Sequence, residues 1–176
     1  MAGADELMTS FYDAYQAVFA AVKKDLVYVA PVAEVPAVPA HDDVPEVPAI
    51  PAVPESGVQS LKTVILGEQF SIGNLPKAII NPEPAPIERL SMGNLLKVYI
   101  NFTVIVVIKE YAPKDWFEDI ITVMADVVDA ILADRKLGGV VKDCYPVGFA
   151  PGEIKFQDKI LYGGDILFRA ELWYEP

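Results

Sequence analysis

Residues 96–109 read LKVYINFTVIVVIK, and their reading decides the fold. Leu96, Val98, Ile100, Phe102, Val104, Val106 and Ile108 are apolar and occupy every second position, while Lys97, Tyr99, Asn101, Thr103 and Lys109 lie between them. A strand turns successive side chains to opposite faces, so this period of two predicts a strand with one face wholly in the core. The other face becomes apolar only at Ile105 and Val107, which predicts a sheet covered on both sides there, by a helix or by another subunit. Fourteen residues at about 3.3 Å each extend roughly 46 Å, whereas a usual strand has about 5–6 residues and a domain of ~115 residues has a radius near 13–14 Å. The strand is therefore expected to bend at a bulge, or to overhang the domain and pair with a neighbour. That makes it the main candidate for crossing a subunit boundary.

Downstream, Pro113 suits the first turn of a helix, and Asp115, Glu118 and Asp119 favour its positive end. Phe117, Ile120, Ile121, Met124, Val127, Val128 and Ile131 form an apolar stripe at helical spacing, Arg135 and Lys136 follow, and Gly138-Gly139 stops the helix. The spacing predicts a helix over about 115–134. Residues 140–145 and 153–158 read as two further strands. Tyr162-Gly163-Gly164-Asp165 reads as a turn into a last strand, 165–174, with Ile166, Phe168, Ala170, Leu172 and Tyr174 on one face. Upstream, strands are expected at 61–66, 77–81 and 87–90, separated by a turn-rich loop at 67–75, the proline break at 82–86 and a turn at 91–94. Strands joined by short loops are expected to pair antiparallel.

The first thirty residues predict an amphipathic helix over 5–24, with Leu7, Phe11, Tyr15, Val18 and Val22 recurring every three or four positions. Asp5 is a candidate N-cap, and Lys23 and Lys24 sit at the end the helix dipole favours for cations. Then comes a low-complexity stretch, 30–57. Pro45, Pro48, Pro51 and Pro54 recur every third residue, as do Val44, Val47, Ile50 and Val53. Polyproline II has three residues per turn, so prolines line one edge and aliphatic residues another. Proline lacks a donor and fixes φ, which argues against a helix or a central strand. The stretch reads as a semi-rigid surface insertion or linker, or as an arm laid on a neighbouring subunit. The expectation is thus an α+β fold: a mainly antiparallel sheet packed by an N-terminal helix and a long helix (about 115–134), with a Pro-rich insertion. It divides into an N-terminal helix at 1–29, an extended arm at 30–57 and a domain at 58–176.

Composition excludes several functions. The 176 residues suit one domain with an appendage. The 53% of hydrophobic residues overstates the core, because Val, Ala and Ile crowd the Pro-rich stretch. A formal net charge of −11, from 25 acidic and 14 basic residues, opposes binding to duplex DNA or to an anionic membrane. Residues 1–5 lack a basic region and an apolar run, so no secretory leader is expected. The longest aliphatic run, 104–108, is far short of the ~20 residues that cross a bilayer.

Catalytic chemistry has little to work with. There is no phosphate loop, dinucleotide fingerprint or nucleophile elbow. The single histidine, His41, lies in the Pro-rich stretch, far in sequence from the single cysteine, Cys144. A zinc site and a histidine general base are therefore not expected. Asp126, Asp129 and Asp134 read as a hydrated face of the long helix. Asn101-Phe102-Thr103 matches a glycosylation pattern, but inside a predicted strand. No catalytic, cofactor-binding or metal-binding residue is assigned.

Four segments carry a family resemblance. They are Gly67-Glu68 through Leu75-Pro76-Lys77-Ala78-Ile79-Ile80; the long strand running into Trp116-Phe117; and the helix end Leu132-Ala133-Asp134-Arg135-Lys136-Leu137-Gly138-Gly139-Val140-Val141-Lys142-Asp143, with the closing strand 163–174. Together they resemble the tail terminator (tail completion) proteins of tailed bacterial and archaeal viruses. The Pro-rich stretch departs from that pattern. The resemblance implies a non-enzymatic virion protein that forms a homo-oligomeric ring, usually of six subunits. The ring would sit at the head-proximal end of the tail tube and contact the tube protein and a neck or head-completion protein. It would be assembled in the host cytoplasm, with no cofactor and no membrane partner. DNA would pass through the lumen without specific binding. A neck adaptor or tube-like protein is the nearest rival. A Pro-rich partner-binding module, a carboxylate-only enzyme and a cellular α+β domain are the other classes left open.

Overall fold

The structure is a computed structural model that describes residues 4–34, 36–37, 48–67, 74–84, 86–89, 96–109, 116–156 and 158–174. For 4–11 and for Arg89, Lys109, Phe156 and Tyr174 it describes the backbone alone. The readings of His41, Val44, Pro45, Val47, Pro113, Asp115, most of loop 67–75 and the turn at 91–94 lie outside the described residues, as do the side chains of Leu7 and Phe11.

The chain is α+β. Its elements are α1 (Ala4–Leu26), β1 (Thr63–Leu66), β2 (Lys77–Pro82), β3 (Ile87–Arg89), β4 (Leu96–Lys109), α2 (Trp116–Ala133), β5 (Asp143–Phe156) and β6 (Lys159–Tyr174). One mixed sheet has the order β1-β2-β4-β6-β5, with β3 alongside β4. All pairings are antiparallel except β1 with β2, where Thr63–Leu66 runs parallel to 77–80. That corrects the expectation of antiparallel pairing for this short connection. Pro76 lies beside Lys62, whose N–H donates to the Pro76 carbonyl at 2.9 Å.

The long strand lies at the centre. β4 pairs along its length with β6, from Leu96↔Tyr174 to Lys109↔Tyr162, with a bulge between Val107 and Lys109. On its other side, β2 takes Phe102 to Val107 and β3 takes Leu96 to Val98. The bulge is present, but the excess length serves pairing within the chain. β4 therefore offers no free edge at these positions, which moves any strand contact with a neighbour to β1 or β5 at the ends of the sheet. The even face is core: Val98, Ile100, Phe102, Val104, Val106 and Ile108 join one buried cluster with Ile166, Phe168 and Ala170 of β6 and Ala78 and Ile80 of β2. Val18, Phe19, Val22 and Leu26 of α1 belong to the same cluster, as do Ile120, Val123, Met124, Val127 and Ile131 of α2. The Phe102 ring stacks on Phe168 at 5.3 Å and meets Phe19 edge-on at 5.9 Å.

Three boundaries differ from the sequence reading. α1 begins at Ala4, so Asp5 lies inside the first turn rather than capping it. The strands expected at 140–145 and 153–158 are one strand, β5, which passes Pro146 through a bulge between Pro146 and Gly148. A strand at the sheet's end tolerates a proline at a bulge. Gly163-Gly164 is not a turn but the interior of β6, opposite Val107 and Val106. A Cβ on Gly163 would overlap the Val106 carbonyl oxygen, and one on Gly164 would lie 2.5 Å from Met124 Sδ. The pair of glycines lets α2 and the neighbouring backbone approach β6 closely.

Candidate functional site

The odd face of the sheet is open and polar, with Lys97, Tyr99, Asn101, Thr103 and Ile105 half-buried. Lys97 Nζ meets Glu171 Oε1 at 2.9 Å, and Trp173 Nε1 donates to the same oxygen at 2.7 Å. Arg169 Nε donates to Asn101 Oδ1 at 3.1 Å, and the Arg169 and Lys97 cations sit over the Tyr99 ring at 5.1 and 4.9 Å. Burial pushes the Glu171 carboxyl up, but hydrogen bonds from Lys97 and Trp173 outweigh it and hold the group below its ordinary range. Asn101, the acceptor position of the glycosylation pattern, is engaged on both amide atoms, its Nδ2 donating to the Pro84 carbonyl at 3.1 Å. Toward one end this face closes: Val107, Ile79 and Leu161 are buried outside the main core cluster. Val107 is therefore buried, while Ile105 stays half-buried.

At 3.6 residues per turn, α2 divides into three flanks. Ile120, Val123, Met124, Val127 and Ile131 face the core. Phe117, Ile121, Ala125 and Val128 fall on the next flank; Phe117 is 48% and Ile121 37% exposed. The sequence reading puts Phe117, Ile121 and Val128 in one stripe with the core residues. Between this flank and β5 lies a groove of about 420 Å³ lined by Ala125, Val128, Asp129, Pro146, Gly148 and Phe149. Phe149 is 46% and Val147 43% exposed. An apolar arc on α2 wider than one sheet face requires was the available sequence signal. The run Tyr145-Pro146-Val147-Gly148-Phe149 concealed the rest, because it read as a break between strands.

The third flank of α2 is acidic. Asp126, Asp129 and Asp134 line a cleft of about 770 Å³ with Lys24 and Asp25 of α1 and with Val29 and residues 55–59. The sequence placed the three aspartates on a hydrated face, and they are exposed. It missed Asp25 and Glu55, which only the tertiary fold brings to the same cleft. Burial first and Asp134 second raise the Asp25 carboxyl, with Lys24 pulling the other way. Oδ2 of Asp25 is buried with no hydrogen-bond partner. Asp134 also caps the end of α2, accepting from Lys136 N at 3.1 Å and Gly138 N at 2.6 Å. Among the described residues no group of His, Cys, Asp and Glu could hold a metal ion. Cys144 is fully buried, and burial followed by Asp143 pushes its thiol up to about 12, which leaves almost no nucleophilic thiolate at neutral pH. No described helix is long and apolar enough to cross a membrane.

The described parts of the Pro-rich stretch pair at two bridges. Val29 and Ser56 exchange backbone hydrogen bonds at 2.9 and 3.2 Å, and Val32 and Val53 do so at 2.9 and 3.0 Å. The bridges are three residues apart on both arms, matching a three-residue turn with prolines at intervening positions. Val29, Val32, Ile50 and Val53 are 39–50% exposed.

No model of a known protein family matches the chain, and no curated protein sequence matches it significantly.

Proposed function

We propose that the chain is a structural virion subunit. In this reading it forms a ring at the head-proximal end of a tail tube, ends tube polymerisation and joins the tail to the neck. The mechanism is surface complementarity rather than catalysis. Both helices back one face of the sheet, and the Pro-rich ribbon is an insertion ahead of it. The observation that carries the reading is the apolar flank of α2, exposed at Phe117 and Ile121 among the described residues and sharing a groove with exposed Phe149 at the end of the sheet. An exposed apolar patch rimmed by polar residues is the usual mark of a protein–protein contact. The resemblance of 67–80, 96–117, 132–143 and 163–174 to tail terminators supplies the kind of assembly. The charge of −11 fits a lumen that repels passing DNA.

Light scattering on the purified chain from 1 to 100 µM, with negative-stain imaging, tests this. A closed ring is expected, and a monomer throughout would defeat the reading. A lumen lined mainly by Lys and Arg in that ring would defeat the DNA-repelling role. The exposed ribbon favours one alternative, a module that recruits a partner through its Pro-rich arm; there, deleting 31–54 abolishes partner binding and leaves assembly intact. A neck adaptor or tube-like protein would also form a closed oligomer, and differs in which tail component it binds.

A further inference from the structure

Among the described residues, apolar side chains are exposed on the ribbon edge carrying Val32, Ile50 and Val53 and at the groove between α2 and β5. No described ribbon residue lines that groove, and the ribbon base lies at the opposite, acidic flank of α2. We infer that the ribbon of one copy docks in the α2/β5 groove of a second copy. The inference rests on the self-assembly part of the proposed function and names the contact that carries it.

The two surfaces match in chemistry. Polyproline II segments dock in apolar grooves that contain aromatic side chains, because their fixed φ leaves little entropy to lose on binding. The ribbon is further preorganised by four backbone hydrogen bonds at its base. Residues 48–54, Pro-Ala-Ile-Pro-Ala-Val-Pro, carry no charge, and of the residues lining the groove only Asp129 is charged, beside Ala125, Val128, Pro146, Gly148 and Phe149.

Charge selects the occupant's contact surface. Two copies at −11 each repel, so they meet most favourably where charge is sparse: ribbon residues 48–54 carry none, and the groove carries a single carboxylate, Asp129. The donor and acceptor surfaces differ, which makes the contact head-to-tail; such contacts close into a ring when the rotation allows. The ribbon's own groove is the competing destination, since the back of one helix separates the two.

Disulfide trapping distinguishes these arrangements. Val53→Cys and Ala125→Cys are prepared separately, mixed at 20 µM under mild oxidation and run on a non-reducing gel. Val53→Cys with Ile160→Cys, an exposed position on β6, is the control, and buried Cys144 stays in place. An interchain product well above the control is expected, together with at least tenfold weaker self-association of Phe149→Glu with an unchanged far-UV spectrum. An oligomer without that product, and insensitive to Phe149→Glu, overturns the ribbon contact while leaving self-assembly standing. A wild-type monomer overturns both. Efficient intrachain closure of Val53→Cys/Ala125→Cys at 50 nM overturns the exchange between copies, because the ribbon would then fill its own groove.

Discussion

Replacing Gly164 by alanine separates two accounts of residues 162–165. In a turn, with no positive φ required, alanine would stabilise the chain by about 0.4–1 kcal/mol through the unfolded state. In the interior of β6 under α2 the sign reverses. The new Cβ would stand 2.5 Å from Met124 Sδ and 2.8 Å from the Ala150 carbonyl oxygen, where ordinary contact begins at 3.4 Å. The sulfur must withdraw by nearly 1 Å in a core where Met124 is fully buried. Overpacking of this kind costs about 1–3 kcal/mol. A chain of this length loses about 2–4 °C of Tm per kcal/mol, so a drop of roughly 2–12 °C is expected.

A double-mutant cycle supplies the internal control. Met124→Ala alone costs about 2–5 kcal/mol by leaving a cavity. In Met124→Ala/Gly164→Ala the added methyl enters that cavity, so the double variant should be less destabilised than the sum by about 1 kcal/mol or more. Rescue stays partial because the Ala150 oxygen remains. Gly163→Ala should not be rescued, since its clash is with the Val106 backbone. Urea and thermal unfolding followed by circular dichroism measure these variants and Met124→Ala/Gly163→Ala. A neutral or stabilised Gly164→Ala, or a cycle additive to within about 0.5 kcal/mol, would refute the reasoning.

Three further outcomes are expected. Phe19→Ala, at a side chain 2% exposed and 5.9 Å from the Phe102 ring, should destabilise by about 3–5 kcal/mol, and coupling to Phe102→Ala should be non-additive; a neutral Phe19→Ala would remove α1 from the core. Burial raises the Asp25 carboxyl in the folded chain, so the folded state holds its proton more tightly and stability falls as pH rises from the unfolded value through the raised one. Asp25→Asn should therefore flatten that part of the stability–pH curve, with its advantage greatest near pH 7 and absent below the ordinary Asp range; identical curves would count against the burial. Cys144 should react with a thiol reagent at pH 8 only as fast as the chain unfolds, and prompt labelling of the native protein would contradict its burial and its thiol pKa of about 12.

Much of the fold was legible because it rests on local periodicity. The alternation at 96–109 determined β4 and its buried face, since a period of two is meaningful only in a strand. The three-residue repeat of the Pro-rich stretch fits the spacing of the Val29–Ser56 and Val32–Val53 bridges, because proline fixes φ whatever surrounds it. Helical spacing located both helices to within a few residues. With one His and one Cys, the sequence holds no motif to which a catalytic role could be assigned.

What tertiary structure decided concerns partners distant in the chain. Sequence could not show that β6 would run beside β4 for its whole length, and so absorb the excess that had suggested a subunit crossing. It could not show that Gly163 and Gly164 yield space to Val106 and Met124, because glycine marks a turn and a close approach identically. Nor could it divide the apolar arc of α2 into a core flank and an exposed one, or bring Asp25 and Glu55 to the cleft of Asp126 and Asp129. Side-chain alternation and helical spacing act through neighbouring residues, whereas burial, close approach and shared clefts depend on which distant segments meet.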